Sequence, residues 1–257
     1  MEGKEDKVCL LNKALYGLKQ APTAWYSRID AHLKKMGFRR ILNEATLYIK
    51  KDESNLVIIS LYVDDLLVME SNMEMLREFK KEMAEVFEMT DLGEMTLFLG
   101  MEIQQNEFGI FICQERYANK VLKKFAMENC KEIETPLAQN EKLYRDDGSH
   151  DVDAGIYRSL IGCLLYLTTI RPDIIFETSL LSRFMQSPKE SHFKAAKRLL
   201  RYVKATAGYG VWFKKENDVK LVGYVDSDWG GSPDNMKSIV GYIVSLGTGV
   251  ISWNSRK

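Results

Sequence analysis

The sequence predicts an α+β protein with one large folded unit or two to three smaller ones, and three observations carry that prediction. Hydrophobic residues make up 46% of the 257 positions and charged residues 28%, a balance that buries a core and excludes a disordered chain. Several segments repeat apolar residues at helical spacing. Between them lie short runs rich in Val, Ile, Leu and Tyr, bounded by turn residues, so helix and strand alternate along the chain.

The first helix is expected over 19–38, entered through Pro22, with Trp25, Tyr26, Ile29, Leu33 and Met36 on one face and Gly37 at its end. Strands follow at 46–50, 56–62 and 66–69, the first two separated by a polar turn at 51–55. Met75, Leu76, Phe79, Met83, Val86 and Phe87 then repeat at helical spacing across 72–87, and 97–104 with 109–113 reads as a second strand pair. A helix over 114–128 leads into a loop that holds Thr135-Pro136 and Asp146-Asp147-Gly148-Ser149, where a domain boundary is expected. Helices at 154–169, 172–185 and 191–205 form a helical region, the last with an Ala196, Leu199, Leu200, Val203 stripe. After Gly208-Tyr209-Gly210, strands are expected at 211–214, 221–227, 239–246 and 250–253, with Gly247-Thr248-Gly249 as a hairpin turn. No helix follows to cover this last sheet, so deletion of 208–257 is expected to leave the preceding fold intact.

Composition narrows the function. Thirty-six Lys and Arg balance 36 Asp and Glu, so contact with nucleic acid must come from local patches rather than from a basic field over the whole chain. No apolar stretch approaches the ~18 residues of a membrane span, and the charged first residues do not form a secretory signal. Cys9, Cys113, Cys130 and Cys163 and His32, His150 and His192 lie too far apart for a zinc site, and the cysteines read as buried, reduced thiols. The expectation is an intracellular protein, cytoplasmic or nuclear, with no membrane partner. No feature of the sequence sets an oligomeric state.

Carboxylates remain as candidates for chemistry. In Tyr62-Val63-Asp64-Asp65 two acids stand side by side between strongly apolar strands, without the glycine that an ordinary hairpin turn favours. Like charges beside a buried sheet call for a compensating cation, and Mg²⁺ takes carboxylate oxygens. A metal site and a solvated hairpin tip both fit this tetrapeptide. Adjacent strand residues face opposite ways, so the two acids reach one site only across a tight turn, with Asp64 as the principal ligand. Lys194, Lys197, Arg198, Arg201 and Lys204 form a basic face beside the apolar stripe of their helix, suited to phosphates or to plain solvation. Tyr202 and Tyr209 fit base stacking as well as they fit packing.

Leu15-Tyr16-Gly17-Leu18-Lys19-Gln20-Ala21-Pro22, Ala24-Trp25 and Ser60-Leu61-Tyr62-Val63-Asp64-Asp65 together resemble the reverse transcriptase of copia-type retrotransposons. The resemblance continues in order through Phe98-Leu99-Gly100-Met101-Glu102-Ile103, Tyr157-Arg158-Ser159-Leu160-Ile161-Gly162 and Arg171-Pro172-Asp173-Ile174. It extends through Ser182-Arg183-Phe184-Met185 and Asp226-Ser227-Asp228-Trp229, covering the chain from about Val8 to Lys257. It implies a partial polymerase palm over 1–113, a helical thumb or connection over 114–207, and an incomplete RNase H-like domain with a mixed sheet over 208–257.

The same resemblance implies RNA-directed DNA polymerisation. Asp64 and Asp65 would be the catalytic carboxylates and the ligands of Mg²⁺, with an RNA template, a DNA primer and dNTP as partners. Gln20 and Tyr62 would contact template and nucleotide, Phe98, Leu99 and Gly100 would form the primer grip, and the basic helix would bind nucleic acid. Asp226 resembles the first RNase H carboxylate, and the remaining ones are expected beyond Lys257. A further catalytic aspartate lies, in the family, in a segment resembling Asp-Val-Lys-x-Ala-Phe-Leu-Asn-Gly upstream of the match. Glu2, Glu5 and Asp6 stand in no strand pattern that replaces it, and Thr23 stands where relatives commonly carry Arg. The expectation is therefore a polymerase fragment that is inactive alone; the alternative is a catalytically silent nucleic-acid or protein-binding remnant.

Overall fold

The computed structural model describes residues 14–15, 17–52, 55–138, 142–229 and 236–257. The described residues form an α+β arrangement of α-helices and three antiparallel sheets, divided between two compact units, Met1–Gly93 and Glu94–Lys257.

The first unit contains α1 (Ala21–Lys35), the sheet β1 (Arg39–Arg40), β2 (Leu47–Asp52), β3 (Asn55–Tyr62) and β4 (Asp65–Glu70) in that order, and α2 (Met73–Val86). Pro22 sits in the first turn of α1, where its missing N–H removes no helical bond. The helix stops in a Schellman arrangement. Gly37, at φ +87°, donates to the Lys34 carbonyl and Phe38 donates to that of Leu33, both at 3.0 Å. Asn72 caps α2 by accepting the Glu74 N–H at 2.9 Å. Alternation along β3 sends Val57, Ile59 and Leu61 inward, where they meet Ile29 and Leu33 of α1 and Phe79 and Met83 of α2. Both helices thus cover one face of the sheet.

The core binds α1 to the sheet through a polar cluster as well. Tyr48 donates to Asp30 at 2.8 Å, Lys34 donates to the same carboxylate at 2.8 Å, and Arg40 donates to the Tyr26 hydroxyl at 3.1 Å. Burial alone would raise the Asp30 carboxyl, but the hydrogen bonds from Lys34 and Tyr48 outweigh it and hold the group below its usual range.

The second unit begins with the sheet β5 (Leu97–Phe98), β6 (Met101–Asn106), β7 (Gly109–Cys113) and β8 (Gly210–Lys214). Between β7 and β8 run α3 (Glu115–Lys124), α4 (Ala154–Leu167), a 3₁₀ turn at Pro172–Ile174, α5 (Ile175–Ser182) and α6 (Glu190–Ala205). A third sheet, ordered β11 (Gly249–Arg256), β10 (Val240–Leu246), β9 (Leu221–Ser227), closes the chain, and both of its strand pairings are antiparallel where a mixed sheet is expected from the resemblance. Its main core joins Tyr157, Leu160, Ile161, Leu164 and Leu167, a single stripe of α4, to Leu199, Leu200 and Val203 of α6. Buried His192 accepts the Lys189 N–H at Nδ1 (2.9 Å), so its Nε2–H donates to the Tyr144 carbonyl (2.8 Å), and its ring stacks on Phe184.

Several elements differ from the expected ones. The strand expected at 97–104 is two strands, because Leu99 and Gly100 both take positive φ and turn the chain back. The helix expected at 172–185 divides into the 3₁₀ turn and the shorter α5, and β1 is an added strand. Of the described cysteines only Cys113 is buried; Cys130 and Cys163 are half-buried, and Cys9 lies outside the described residues.

The domain divisions at 113/114 and 207/208 cut through one sheet. β7 and β8 pair antiparallel from Gly109↔Lys214 to Cys113↔Gly210, so strands on either side of the helical region complete each other. The terminal sheet is not uncovered on every side either. Trp253 donates to the Thr168 carbonyl at 2.8 Å, Ser179 of α5 donates to the Ser255 carbonyl at 2.8 Å, and Gly249 lies so close to the Phe213 ring that a Cβ would overlap it. By contrast β9 is exposed along its length.

Arg171-Pro172-Asp173-Ile174 has a structural account. Arg171, 2% exposed, donates from Nε and Nη2 to Asp173 at 2.8 and 2.7 Å, and from Nη1 to the Thr206 carbonyl at 2.9 Å. Tyr202 donates to Asp173 at 3.0 Å, and the rings of Tyr202 and Tyr209 lie 5.9 and 5.5 Å from the guanidinium carbon. Burial, then Asp173, pushes the Tyr202 phenol up to about 12. Arg171→Ala is expected to cost about 3 kcal/mol, since it strands polar groups around Thr206 and Asp173. Arg171→Lys should cost about 2, because a single ammonium cannot reproduce the fork. Denaturant midpoints at unchanged slope measure both.

Candidate active site

The β3–β4 hairpin closes on the pair Tyr62↔Asp65, so Val63 and Asp64 alone form its loop. Val63 holds φ +55°, and among the two loop residues only it is positive, the sign pattern of a II′ turn where glycine is usual. For a β-branched side chain that conformation is an outlier with a cost. Its carbonyl accepts a hydrogen bond from the Trp25 indole N–H of α1 at 2.7 Å.

Because Leu61 faces the core, Tyr62 faces away from the helices, and its cross-strand partner Asp65 shares that open face. Asp64 stands at the apex, and both carboxylates are exposed. The electrostatic premise drawn from the sequence therefore changes: water solvates the paired acids, and burial does not demand a cation. Two adjacent carboxylates supply the hard oxygen donors that Mg²⁺ takes. Among the described residues, however, no group of three His, Cys, Asp or Glu side chains gathers to hold a metal. The donors fit a divalent cation in kind and fall short of a complete two-ion site in number. Glu2, Glu5 and Asp6 lie outside the described residues.

Gln20 occupies the N-cap position of α1, exposed and without a capping side-chain bond, on the helix whose Trp25 reaches the hairpin. Phe98, Leu99 and Gly100 fall on the β5–β6 hairpin, with Leu99 (φ +50°) and Gly100 (φ +76°) as its two-residue I′-type loop. The Tyr166 hydroxyl of α4 donates to the Leu99 carbonyl, and its ring meets Tyr117 edge-on at 4.6 Å. One strand further, Glu102 accepts the Arg116 N–H at 2.7 Å and pairs with its guanidinium at 3.1 Å, which anchors the start of α3.

On β9, Asp226 is exposed, accepts the Ser227 N–H at 2.8 Å and lines a cavity of about 310 Å³ with Phe176, Tyr242 and Trp253. Asp228 accepts the Ile239 N–H at 2.7 Å. The basic helix α6 is divided in its employment. Lys194 and Lys197 are exposed, the latter 4.5 Å from the Phe193 ring centre. Arg198 donates to Thr135 (2.8 Å), Arg201 to the Lys131 carbonyl (2.6 Å) and Lys204 to the Cys130 carbonyl (2.8 Å). These three cations fasten the 130–135 segment to α6, a role that helical spacing alone does not reveal. Tyr166 and the Trp25–Val63 bond also escape a sequence reading, since their partners lie 67 and 38 residues away.

The family model for reverse transcriptase (RNA-dependent DNA polymerase) matches residues 1–139, more than half of the chain and inclusive of both hairpins. The chain belongs to the reverse transcriptase family. Its relatives place it among retrovirus-related Pol polyproteins of copia-type transposons. The chain is 38% identical to the Pol polyprotein from transposon RE1 of Arabidopsis thaliana, over 97% of its own length and 17% of that protein's. It is 36% identical to the Pol polyprotein from transposon TNT 1-94 of Nicotiana tabacum, over 99% of the chain and 20% of the polyprotein. A putative transposon Ty5-1 protein of Saccharomyces cerevisiae is 34% identical over the whole chain and 84% of its own length. The chain thus spans a fifth or less of the two polyproteins. No solved structure matches it. Among its described residues, no helix is long and apolar enough to cross a membrane.

Proposed function

We propose that this chain carries the nucleotidyl-transfer hairpin of an RNA-directed DNA polymerase acting on an RNA template, a DNA primer and dNTP. The observation that carries the reading is the exposure of Asp64 and Asp65 at the tip of a two-residue hairpin on a helix-backed antiparallel sheet, inside the family match. Residues 1–113 serve as a partial palm, 114–207 as a thumb or connection, and 208–257 as the start of an RNase H-like region, with Asp226 as its first carboxylate.

Asp64 and Asp65 are the residues that would hold Mg²⁺, with Asp64 dominant, and the chemistry a bound ion would supply there is activation of the primer 3′-hydroxyl and stabilisation of the leaving pyrophosphate. Gln20 and Tyr62 contact template and nucleotide, and Phe98, Leu99 and Gly100 grip the primer. The third carboxylate belongs to the upstream segment that the resemblance places before Val8.

Primer extension tests the reading. The 257 residues alone should not extend a primer, whereas a joined chain, in which the family's upstream segment with its aspartate precedes Met1, should do so with Mg²⁺. Extension by the unjoined chain would show that an acid already present completes the site. A folded joined chain without activity would overturn the polymerase reading and favour a silent nucleic-acid or protein-binding remnant.

Nucleic-acid contact on α6 falls to Lys194 and Lys197, because the other three cations are engaged with the 130–135 segment. Replacing both with Ala should lower the slope of log affinity against log salt for duplex DNA by roughly 2 while leaving the fold unchanged. Filter binding over a salt series reads that slope. An unchanged slope would remove α6 from the nucleic-acid path.

A further inference from the structure

We infer that Trp25 is a positioning residue that holds the Val63–Asp64 turn in its strained conformation and so fixes where the Asp64 carboxylate points. The inference deepens the polymerase reading and rests on it, since it takes this hairpin as the metal-bearing turn. Three observations converge.

Val63 adopts φ +55° although nothing in its own chemistry favours that region; a β-branched residue there returns toward φ < 0 unless something retains it. The Trp25 indole supplies the retaining contact. It donates to the Val63 carbonyl at 2.7 Å, on the peptide unit that joins Val63 to Asp64, so this bond sets the orientation of the plane from which Asp64 starts.

The donor is itself immobilised from behind. Trp25 meets Phe87 edge-on at 5.4 Å and 82°, and Phe87 is buried against His32 at 5.3 Å. The Arg28 guanidinium lies 5.1 Å from the Phe87 ring centre and donates to the Val86 carbonyl at the end of α2 at 3.1 Å. The chain of contacts therefore runs from the end of α2 through Phe87 and Trp25 to the hairpin apex. An indole suits the task because it combines a wide apolar face with a single donor. Phenylalanine keeps the ring and lacks the donor.

The test separates the positioning role from catalysis. In the unmodified 257-residue chain, the Trp25 indole N–H should exchange with solvent more slowly than that of exposed Trp229. In Trp25→Phe, amide exchange across 61–66 should quicken roughly fivefold to tenfold, the equivalent of one net hydrogen bond, while exchange in β2 and α2 stays within twofold. Adding Val63→Gly to Trp25→Phe should restore slow exchange, because glycine occupies φ +55° without restraint. In the joined chain, Trp25→Phe should lower kcat with KM for template-primer unchanged, and Val63→Gly should recover part of the loss. Unchanged hairpin exchange in Trp25→Phe would overturn the inference. So would a loosening spread evenly over the whole unit without rescue by Val63→Gly, which marks Trp25 as ordinary packing. The exchange measurements need no activity, so an inactive joined chain would count against the polymerase reading alone and leave the fate of Trp25 to the exchange data.

Discussion

Asp64→Asn in the joined chain is expected to reduce primer extension at least about a thousandfold, an increase in barrier of about 4 kcal/mol. Asparagine keeps the shape of the side chain and removes its charge. A hard divalent cation binds a neutral amide oxygen far less well than a carboxylate, and rates respond steeply to the placement of the reacting groups. Asp65→Asn should cost less, roughly tenfold to a hundredfold, because Asp65 lies within the β4 ladder on the Tyr62 face whereas Asp64 occupies the apex. Neither change should disturb folding by more than about 0.5 kcal/mol, since both side chains are exposed. Matched melting curves with unequal activities are the expected result. A larger loss from Asp65→Asn would reverse the assignment of the dominant carboxylate.

Legibility followed the range of the interactions. The helix of Trp25, Ile29 and Leu33, the strands around Ile59 and Val68, and the α4 stripe were readable because periodicity within a few residues decides which face is buried. The hairpin at Tyr62-Val63-Asp64-Asp65 was readable from two acids between apolar runs. Its exposure was not, since burial is a property of the folded surface. The sequence-based strand over 97–104 failed at Leu99, a residue that by type rarely enters the left-handed region; Gly100 alone was a signal, and the Tyr166 hydroxyl that holds the Leu99 carbonyl lies far away in the chain. The basic face of α6 looked uniform because helical spacing carries no information about residues 130–135, which occupy Arg198, Arg201 and Lys204.

Deletion of 208–257 is expected to unfold the second unit, contrary to the separable terminal sheet that the sequence suggests. The cut removes β8, which completes the β5–β6–β7 sheet, and so leaves the outer edge of β7 unpaired from Gly109 to Cys113. Each ladder hydrogen bond lost costs about 1 kcal/mol net, and buried Val211 and Ile239 contribute about 1.5–3 kcal/mol each. The cut also releases the Thr168 carbonyl from Trp253 and the Ser179 hydroxyl from Ser255, which frees the end of α4 and a face of α5. These losses together approach the roughly 5–15 kcal/mol of a whole domain's stability, so no compact second unit should remain. Hydrogen exchange at the α4 and α6 amides should lose its protection, while the amides of β2 and β3 in the first unit keep theirs. Deletion of 217–257 is the sharper comparison, because it retains β8 and removes only the three-stranded sheet. It should melt earlier than the full chain yet keep a cooperative transition, since the β7–β8 ladder and the α4–α6 core both survive. A 208–257 deletion that melts within a few degrees of the full chain would show that β8 adds little and that the helical core alone sustains the unit.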